Sequence, residues 1–158
     1  MVMAHLGRDY ETALSAIGRA LAVNPSCAAA HYFGALINAY CGNSEAATAH
    51  ADRALRLSPL DSLAWKADES LGLVALLDGR YDAAASCFAR VASVRPGFLF
   101  YQAVALALAG RMEEARTVAK RALEEGPDLR LHQLSQIGLI SEIADKIAAG
   151  WRLLGLPE

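Results

Sequence analysis

Few side chains of this sequence have the types and spacing that catalysis or metal binding requires. Its four histidines are His5, His31, His50 and His132, and its three cysteines are Cys27, Cys41 and Cys87. No histidine has a cysteine, aspartate or glutamate at metal-site spacing, and the cysteine spacings match neither a zinc site nor a disulfide framework. An enzyme needs a nucleophile with a base, paired carboxylates or a ligand cluster. We therefore expect no catalytic residue, no metal and no cofactor.

Two carboxylate pairs and a recurrent glycine–arginine pair have structural interpretations. Glu113-Glu114 suits the first turn of a helix, where the peptide dipoles favour negative charge, and Glu124-Glu125 suits a solvent-exposed face. Glycine followed by arginine occurs at the predicted turns, at positions 7, 79 and 110, but without the glycine spacing and the Lys-Ser/Thr ending of a phosphate-binding loop. These residues predict helix starts and turns rather than an active site.

The composition narrows the classes of partner. The net charge is −2 and the isoelectric point about 6.1, so there is no excess of basic residues for nucleic acid or for an anionic membrane. No stretch reaches about 18 uninterrupted apolar residues, so no membrane-spanning helix is predicted. The start of the chain lacks the apolar core of a secretion signal, and we expect a cytoplasmic protein.

With catalytic and metal sites excluded, the function must depend on a binding surface formed by helices. Prolines and glycines mark where those helices end. Pro25 and Pro59 are 34 positions apart, which is the period of tetratricopeptide repeats, each a pair of antiparallel helices. Within this unit we predict a first helix over Ala28–Tyr40, a turn at Gly42 and a second helix over Ser44–Leu57. Pro59 ends the second helix because proline removes a donor and clashes with the preceding turn.

The remaining chain divides in the same register. We predict a single domain over residues 1–158, with a half repeat at 9–25, repeats at 26–59, 60–96 and 97–127, and a C-terminal cap at 128–158. The unit 60–96 is three residues longer than the period, and we place the extra residues at the start of its first helix, before Asp68, with Asp61 or Ser62 as the N-cap. The unit 97–127 is three residues shorter, so its first helix, roughly 98–108, is predicted to be a turn shorter than its neighbours.

A capping segment follows the repeats. Residues 129–136 can be helical, Gly138 is predicted to break that helix, and Ser141 to cap a last helix that ends at Leu154. In that helix Ile143, Ile147 and Trp151 fall on one stripe. Because an array of repeats needs an end that covers its last apolar face, we interpret this helix as the cap. The predicted fold is all-α, a tetratricopeptide-repeat right-handed superhelix of antiparallel helix pairs with a C-terminal capping helix.

The glycine and proline register resembles tetratricopeptide proteins over residues 9–127. A narrower resemblance involves the segments Arg53–Asp61, Gly79–Ala84 and Leu153–Glu158. Together they look like the C-terminal repeat region of bacterial signalling proteins that carry a class III adenylate or guanylate cyclase domain upstream. Similar repeat tails follow winged-helix DNA-binding domains. The resemblance implies a docking or regulatory tail, and it implies no cyclase activity because this chain contains no cyclase domain.

In this repeat class the first helices line a concave groove that receives a peptide or another helix. The register places seven side chains on that face: Tyr32, Leu36, Trp65, Glu69, Leu73, Phe100 and Val104. Trp65 and Phe100 are equally compatible with the core. The lysines and asparagines that capture a terminal carboxylate in chaperone-binding relatives are absent from these positions. We therefore expect the partner to present an apolar helix or an extended segment.

The first predicted helix, Tyr10–Val23, has only residues 1–6 before it in place of a partner helix. We expect Tyr10, Leu14 and Ile17 to form an apolar face that is used in a symmetric homodimer or against the rest of a longer protein. The alternative is that Met1, Met3 and Leu6 fold back and cover this face.

The sequence thus predicts a non-catalytic protein–protein interaction scaffold with a protein or peptide partner. The alternative is a small-molecule sensor that uses the aromatic side chains of the groove as a pocket. RNA binding by the related 35-residue helical repeats is disfavoured because the isoelectric point is low and the period is 34.

Overall fold

Eight α-helices and no strand form the part of the chain that the computed structural model describes, namely residues 9–128, 131 and 138–156. The helices are α1 (Tyr10–Val23), α2 (Ala28–Tyr40), α3 (Ser44–Leu57), α4 (Trp65–Leu77), α5 (Tyr81–Val94), α6 (Leu99–Leu108), α7 (Met112–Glu125) and α8 (Ser141–Leu153). A single 3₁₀ turn, Pro96–Phe98, precedes α6. The all-α prediction is confirmed. Apart from Leu131, the helix predicted over 129–136 lies outside the described residues.

Glycines in the left-handed conformation end the first helix of each pair. Gly42, Gly79 and Gly110 have φ angles of 78°, 73° and 79°, a region that glycine enters without steric cost. The amide that follows each glycine bonds a carbonyl five positions back, as in the 2.8 Å bond from Asn43 N to Asn38 O. This arrangement satisfies carbonyls that the helix end leaves unpaired. The predicted turns between paired helices are therefore confirmed.

Small residues allow the paired helices to approach closely. Ala47, Ala51 and Ala54 of α3 are fully buried, and α3 packs against both α2 and α4. In the next pair a Cβ atom on Gly72 would lie only 2.7 Å from the ring of Phe88, which is itself fully buried. The core therefore divides into two clusters, a small one between α2, α3 and α4 and a larger one that extends from Ala39 of α2 and Ala47 of α3 to α8.

Two details of the unit 60–96 differ from the prediction. Helix α4 begins at Trp65 and has 13 residues, the same length as α2, so the extra residues lie in the connection and do not lengthen the helix. Asp61 Oδ1 accepts from Leu63 N at 2.9 Å and thus caps the turn before the helix. The N-cap of α4 is Ala64, which makes no side-chain bond; Asp61 and Ser62 were wrong as N-caps because that turn intervenes.

The short sixth helix is confirmed and the cap of the last helix is corrected. Helix α6 has 10 residues, three fewer than α2 and α4. Ser141 is the first residue of α8 and the N-cap position belongs to Ile140, which makes no side-chain bond. Helix α8 ends at Leu153, and Gly155 follows with a φ of 65°.

A histidine pair joins α2 to α3. The Nδ1 atoms of His31 and His50 are 2.9 Å apart, and His31 Nε2 donates to the Pro25 carbonyl at 3.1 Å. Because one Nδ1 must accept, at least one imidazole is neutral. Burial, and then the charge of His31, lower the pKa of His50. The histidine pair lies beside Gly34, where a Cβ atom would be 2.9 Å from His50 Nδ1. The two imidazole rings therefore fill the space between α2 and α3.

Candidate partner-binding face

The first helices of the pairs, α2, α4 and α6, carry the seven side chains that the sequence places on a groove. Six of them are buried within the chain: Tyr32, Leu36, Glu69, Leu73, Phe100 and Val104. Trp65 is the member that remains partly exposed. Different contacts bury Tyr32, Glu69 and the two residues of α6, Phe100 and Val104.

Tyr32 belongs to the core between α2, α3 and α4. Its ring lies in a cluster with Ala51, Ala54 and Ala67, and its hydroxyl donates to the Ser58 carbonyl at 2.8 Å. The repeat pattern has a bulky residue where this chain has Ala51, so the phenol ring of Tyr32 fills the space that the alanine leaves. The expectation that Tyr32 faces the groove is corrected for this reason.

The C-terminal segment 138–156 covers the face of α6. The indole of Trp151 stacks on the ring of Phe100 with centroids 5.3 Å apart, and Trp151 is fully buried. One residue earlier, a Cβ atom on Gly150 would lie 2.7 Å from Val104 Cγ1. We call the surface of Phe100 and Val104, with the adjoining part of α4 that α8 contacts, the covered face.

The same segment reaches the opposite end of the array. A Cβ atom on Gly138 would lie 2.8 Å from the hydroxyl of Tyr10 in α1, and Ile140 N donates to the Tyr40 carbonyl at 3.2 Å. Lys146 Nζ then lies 3.4 Å from the Tyr81 hydroxyl. The segment therefore crosses from α1 and α2 to α6, and its principal helix contacts are with α6 and α4. Helix α8 is confirmed as a cover of the last repeat, and it also covers α4.

A buried carboxyl group lies among the first helices. Glu69 Oε1 accepts from the Tyr40 hydroxyl at 2.8 Å. Burial raises the pKa of Glu69 to about 7, although the bond from Tyr40 and the charges of Lys66 and Arg95 act in the opposite direction. Burial likewise raises the pKa of Tyr40, with Glu69 as the second cause. Glu69 therefore serves as an internal hydrogen-bond acceptor and not as an exposed groove residue.

A partly open cluster surrounds Trp65, and we call it the Trp65 patch. It consists of Phe33, Trp65, Lys66, Arg95 and Phe98. Lys66 Nζ lies 4.0 Å from the centroid of the Trp65 ring and 5.0 Å from that of Phe33. The Arg95 guanidinium lies 4.5 Å from the centroid of the Trp65 ring. The Phe98 and Trp65 rings are arranged edge to face, with their centroids 6.3 Å apart.

The two cations of the Trp65 patch are held by aromatic rings and not by carboxylates. No salt bridge joins Lys66 or Arg95 to any other residue in the described part of the chain. Burial lowers the pKa of Lys66, the charge of Glu69 raises it, and the charge of Arg95 lowers it again. Cations on aromatic faces are attracted by the ring quadrupole. The patch can thus receive an apolar group that carries a negative charge.

Sequence reasoning missed most of this patch and the covering residues. Lys66 is adjacent to Trp65 in the sequence, so the sequence did indicate that one cation lies near the indole. Arg95 and Phe98 come from the connection before α6, where no helical periodicity indicates their direction. The close approach of Gly150 to Val104 depends on contacts between elements far apart in the chain, for which a single sequence carries no signal.

The expected interface residues of α1 lie against α2 only in part. Tyr10, Leu14 and Ile17 are half-buried, and no residue of α1 is fully buried. At the end of the helix Val23 is 88% exposed. Helix α1 is therefore the least covered of the helices in the described ranges.

The described residues also bear on metal binding, cavities and membrane insertion. No group of three or more histidine, cysteine or acidic side chains there could hold a metal ion. An open depression of about 500 Å³ lies beside the α4–α5 turn, where Gly79–Ala83 and Leu108-Ala109 line it. No described helix combines the length and apolar character needed to cross a membrane.

A comparison with protein-family models gives a match over most of the chain. The model described as Tetratricopeptide repeat matches residues 7–62, 40–93 and 69–129. Neither the curated proteins nor the solved structures gave a match to this sequence.

Proposed function

Since the chain belongs to the tetratricopeptide-repeat family, whose repeats generally mediate protein–protein interactions and are typically non-catalytic, we propose that it is a docking module for a protein partner. The proposed contact surface is the Trp65 patch. The wider proposal is that the module acts as a docking or regulatory part of a bacterial signalling protein in the cytoplasm, and that it has no catalytic activity of its own.

The arrangement of Lys66 and Arg95 is the observation that carries this proposal. Both cations lie on the indole of Trp65, at 4.0 Å and 4.5 Å from its centroid, and neither forms a salt bridge with another described residue. The nearby Glu69 carboxyl is buried and its pKa is raised to about 7, so the two neighbouring positive charges still favour a ligand that supplies a carboxylate. Half-buried aromatic rings beside them favour an apolar contact at the same place.

The partner segment that fits is therefore apolar and carries an acidic side chain. The earlier expectation of an apolar segment is kept, and the acidic group is added because of Arg95 and Lys66. Their contribution should depend on ionic strength, since salt screens charges that are not fully buried.

A pull-down with matched charge variants tests this proposal. The purified chain is used as bait in a lysate of its native cells, with cross-linking, and compared with the double variant Lys66→Gln/Arg95→Gln. The control is Lys120→Gln/Arg121→Gln, which removes the same charge from an exposed face of α7. We expect a captured protein to be lost with the first variant and kept with the second. Equal capture by both variants would show that the Trp65 patch is not the contact.

The alternative function is a small-molecule sensor, and the same half-buried rings favour it. An anionic aromatic or aliphatic metabolite could occupy the Trp65 patch without any protein partner. Calorimetry of the purified chain against a set of such metabolites separates the two functions. A saturable heat that Lys66→Gln/Arg95→Gln abolishes supports the sensor, and no heat supports docking.

A further inference from the structure

The buried carboxyl of Glu69 lies one helical turn from the Trp65 patch. Glu69 follows Trp65 by four positions and Lys66 by three in α4, and side chains at these spacings are neighbours on one face of a helix. We propose that the protonation of Glu69 regulates the Trp65 patch, so that an anionic ligand binds strongly when this carboxyl is neutral and weakly when it is ionised. The inference rests on the proposed function, because it takes the patch as the contact surface, and it adds the control of that surface by pH.

The charge presented to a ligand differs between the two states of Glu69. Lys66 and Arg95 form no salt bridge with a described residue, so with a neutral carboxyl the patch presents two positive charges. An ionised carboxyl leaves one net positive charge, attracts both cations and repels a second anion that approaches them. All of these changes weaken the binding of an acidic ligand, so they act in the same direction.

The pKa of Glu69 places this change near neutral pH. Burial raises that pKa to about 7, and the bond from Tyr40 and the charges of Lys66 and Arg95 oppose the rise. The carboxyl is therefore neutral below about 7 and ionised above it, and the affinity for an anion should fall as the pH rises through this value. By linkage, an anion bound at the patch must raise the pKa of Glu69 in turn.

The groups around α4 assign this behaviour to Glu69. The groups that act on its carboxyl or are affected by its charge are Tyr40 of α2, Lys66 of α4, Arg95 before α6 and Tyr101 of α6. Arg90 of α5 pairs instead with Asp68 at 2.6 Å, and Lys146 Nζ of α8 lies 3.4 Å from the Tyr81 hydroxyl. The remaining charged side chains of α3, α5 and α8 are exposed.

The size of the effect follows from the burial of the two sites. Unit charges about 8 Å apart change a binding constant about twofold in bulk water and about thirtyfold at an effective dielectric constant of about 20. The carboxyl is buried, while Trp65 and Lys66 are only half-buried. The effect should therefore lie between these limits, at roughly three- to tenfold.

An anionic dye tests the regulation without knowledge of the natural partner. The probe is anilinonaphthalene sulfonate, which joins an apolar ring system to a sulfonate that stays ionised throughout the pH range used. Its fluorescence is measured with the full chain between about pH 5.5 and 8.5, and we expect the dissociation constant to rise roughly three- to tenfold with pH. The uncharged analogue phenylnaphthylamine should bind equally at both ends of this range.

Two matched variants identify the group that is responsible. Glu69→Gln keeps a neutral acceptor for Tyr40, so it should bind the sulfonate at high pH as tightly as wild type does at low pH. The control Glu124→Gln removes a carboxylate from an exposed part of α7 and should keep the pH dependence of wild type. Histidines also change charge in this range, but both variants retain them. Equal pH dependence in wild type and Glu69→Gln overturns the proposal.

A third variant moves the midpoint of the pH dependence. Tyr40→Phe removes the 2.8 Å bond that favours the ionised carboxyl, so the midpoint should move to higher pH. A merely structural effect would instead change the affinity by the same factor at every pH. Carbon NMR of the Glu69 carboxyl in the wild-type chain gives the same midpoint directly, and saturating sulfonate should raise it. An unchanged midpoint in both experiments contradicts the regulation.

The outcomes separate this inference from the proposed function. If Lys66→Gln/Arg95→Gln abolishes partner capture and sulfonate binding while Glu69→Gln keeps the pH dependence, the docking module stands and the regulation fails. If the pH dependence follows Glu69 but no captured protein depends on the patch, the regulated anion site stands and docking there fails. Sulfonate binding that is absent at low pH, or that survives Lys66→Gln/Arg95→Gln, overturns the inference because the patch then takes no anion.

Discussion

Glu69 illustrates how one side chain can make the stability of the array depend on pH. Its carboxyl is buried between the first helices and accepts from Tyr40. Its pKa in the folded chain is about 7, against a reference of 4.5, so the unfolded chain releases this proton at lower pH. The stabilising contribution is therefore complete below about 4.5 and is lost as the pH rises through about 7.

The substitution Glu69→Gln tests this dependence. The neutral amide oxygen still accepts from Tyr40, so the variant should be relatively more stable at high pH. We expect the difference in free energy of unfolding between variant and wild type to change by up to roughly 3 kcal/mol in favour of glutamine between pH 4.5 and 8. Urea unfolding at both values measures it. The control Glu124→Gln, on an exposed part of α7, should show no comparable change; an unaltered difference for Glu69→Gln would contradict the buried carboxyl.

Gly72 offers a second prediction at the level of single residues. A Cβ atom there would lie 2.7 Å from the ring of Phe88, and that ring is fully buried. Gly72→Ala should therefore destabilise the chain by about 1–3 kcal/mol, despite the better helix propensity of alanine. Gly18→Ala, which meets nothing within 4 Å, should stabilise it by up to about 1 kcal/mol. Thermal unfolding of both variants measures the contrast, and a shift of the same sign in both would refute it.

At the level of elements, local turn chemistry made the helices predictable. Glycines at 42, 79 and 110 and prolines at 25, 59, 96 and 127 each act on neighbouring residues, so α1, α2 and α3 begin and end where the sequence predicts. The burial of Tyr32 was not predictable from the repeat pattern. It depends on Tyr32 filling the space beside Ala51, which is a contact between helices. The Trp65 patch and the path of α8 depend on longer-range contacts still.

Overpacking between paired helices tests the helix register. Ala47 and Ala84 are fully buried, at the contacts of α3 and α5 with their preceding helices. Replacing either with leucine should force the helices apart and cost about 1–3 kcal/mol. The midpoint of thermal unfolding should fall for both variants. Should the midpoint stay unchanged in both, the assignment of these positions to the helix contact is wrong.

At the scale of the whole molecule, the half-buried apolar face of α1 determines whether the chain associates with a second copy. The symmetric homodimer through Tyr10, Leu14 and Ile17 stays a proposal, which the partial burial of these residues supports. We expect light scattering at tens of micromolar to show a dimer of the wild-type chain and a monomer of Leu14→Asp/Ile17→Asp, because two charges cannot be buried unpaired in a contact. A control with Thr12→Asp/Ser15→Asp adds the same charge to exposed positions of α1. A wild-type monomer would exclude this interface.

The alanine-rich packing of α3 has a mechanical consequence. Alanine has no side-chain torsion, and Tyr32 is the one large side chain that is fully buried in the cluster with Ala51, Ala54 and Ala67. We therefore expect the helices that touch there to be able to slide by small amounts. The pair α4 and α5 differs, since the Phe88 ring lies close against Gly72 and should resist such sliding. We therefore expect the N-terminal part of the array to be more compliant than the central part. Changes in the curvature of the array should concentrate at the joint between α2 and α4, at the edge of the Trp65 patch.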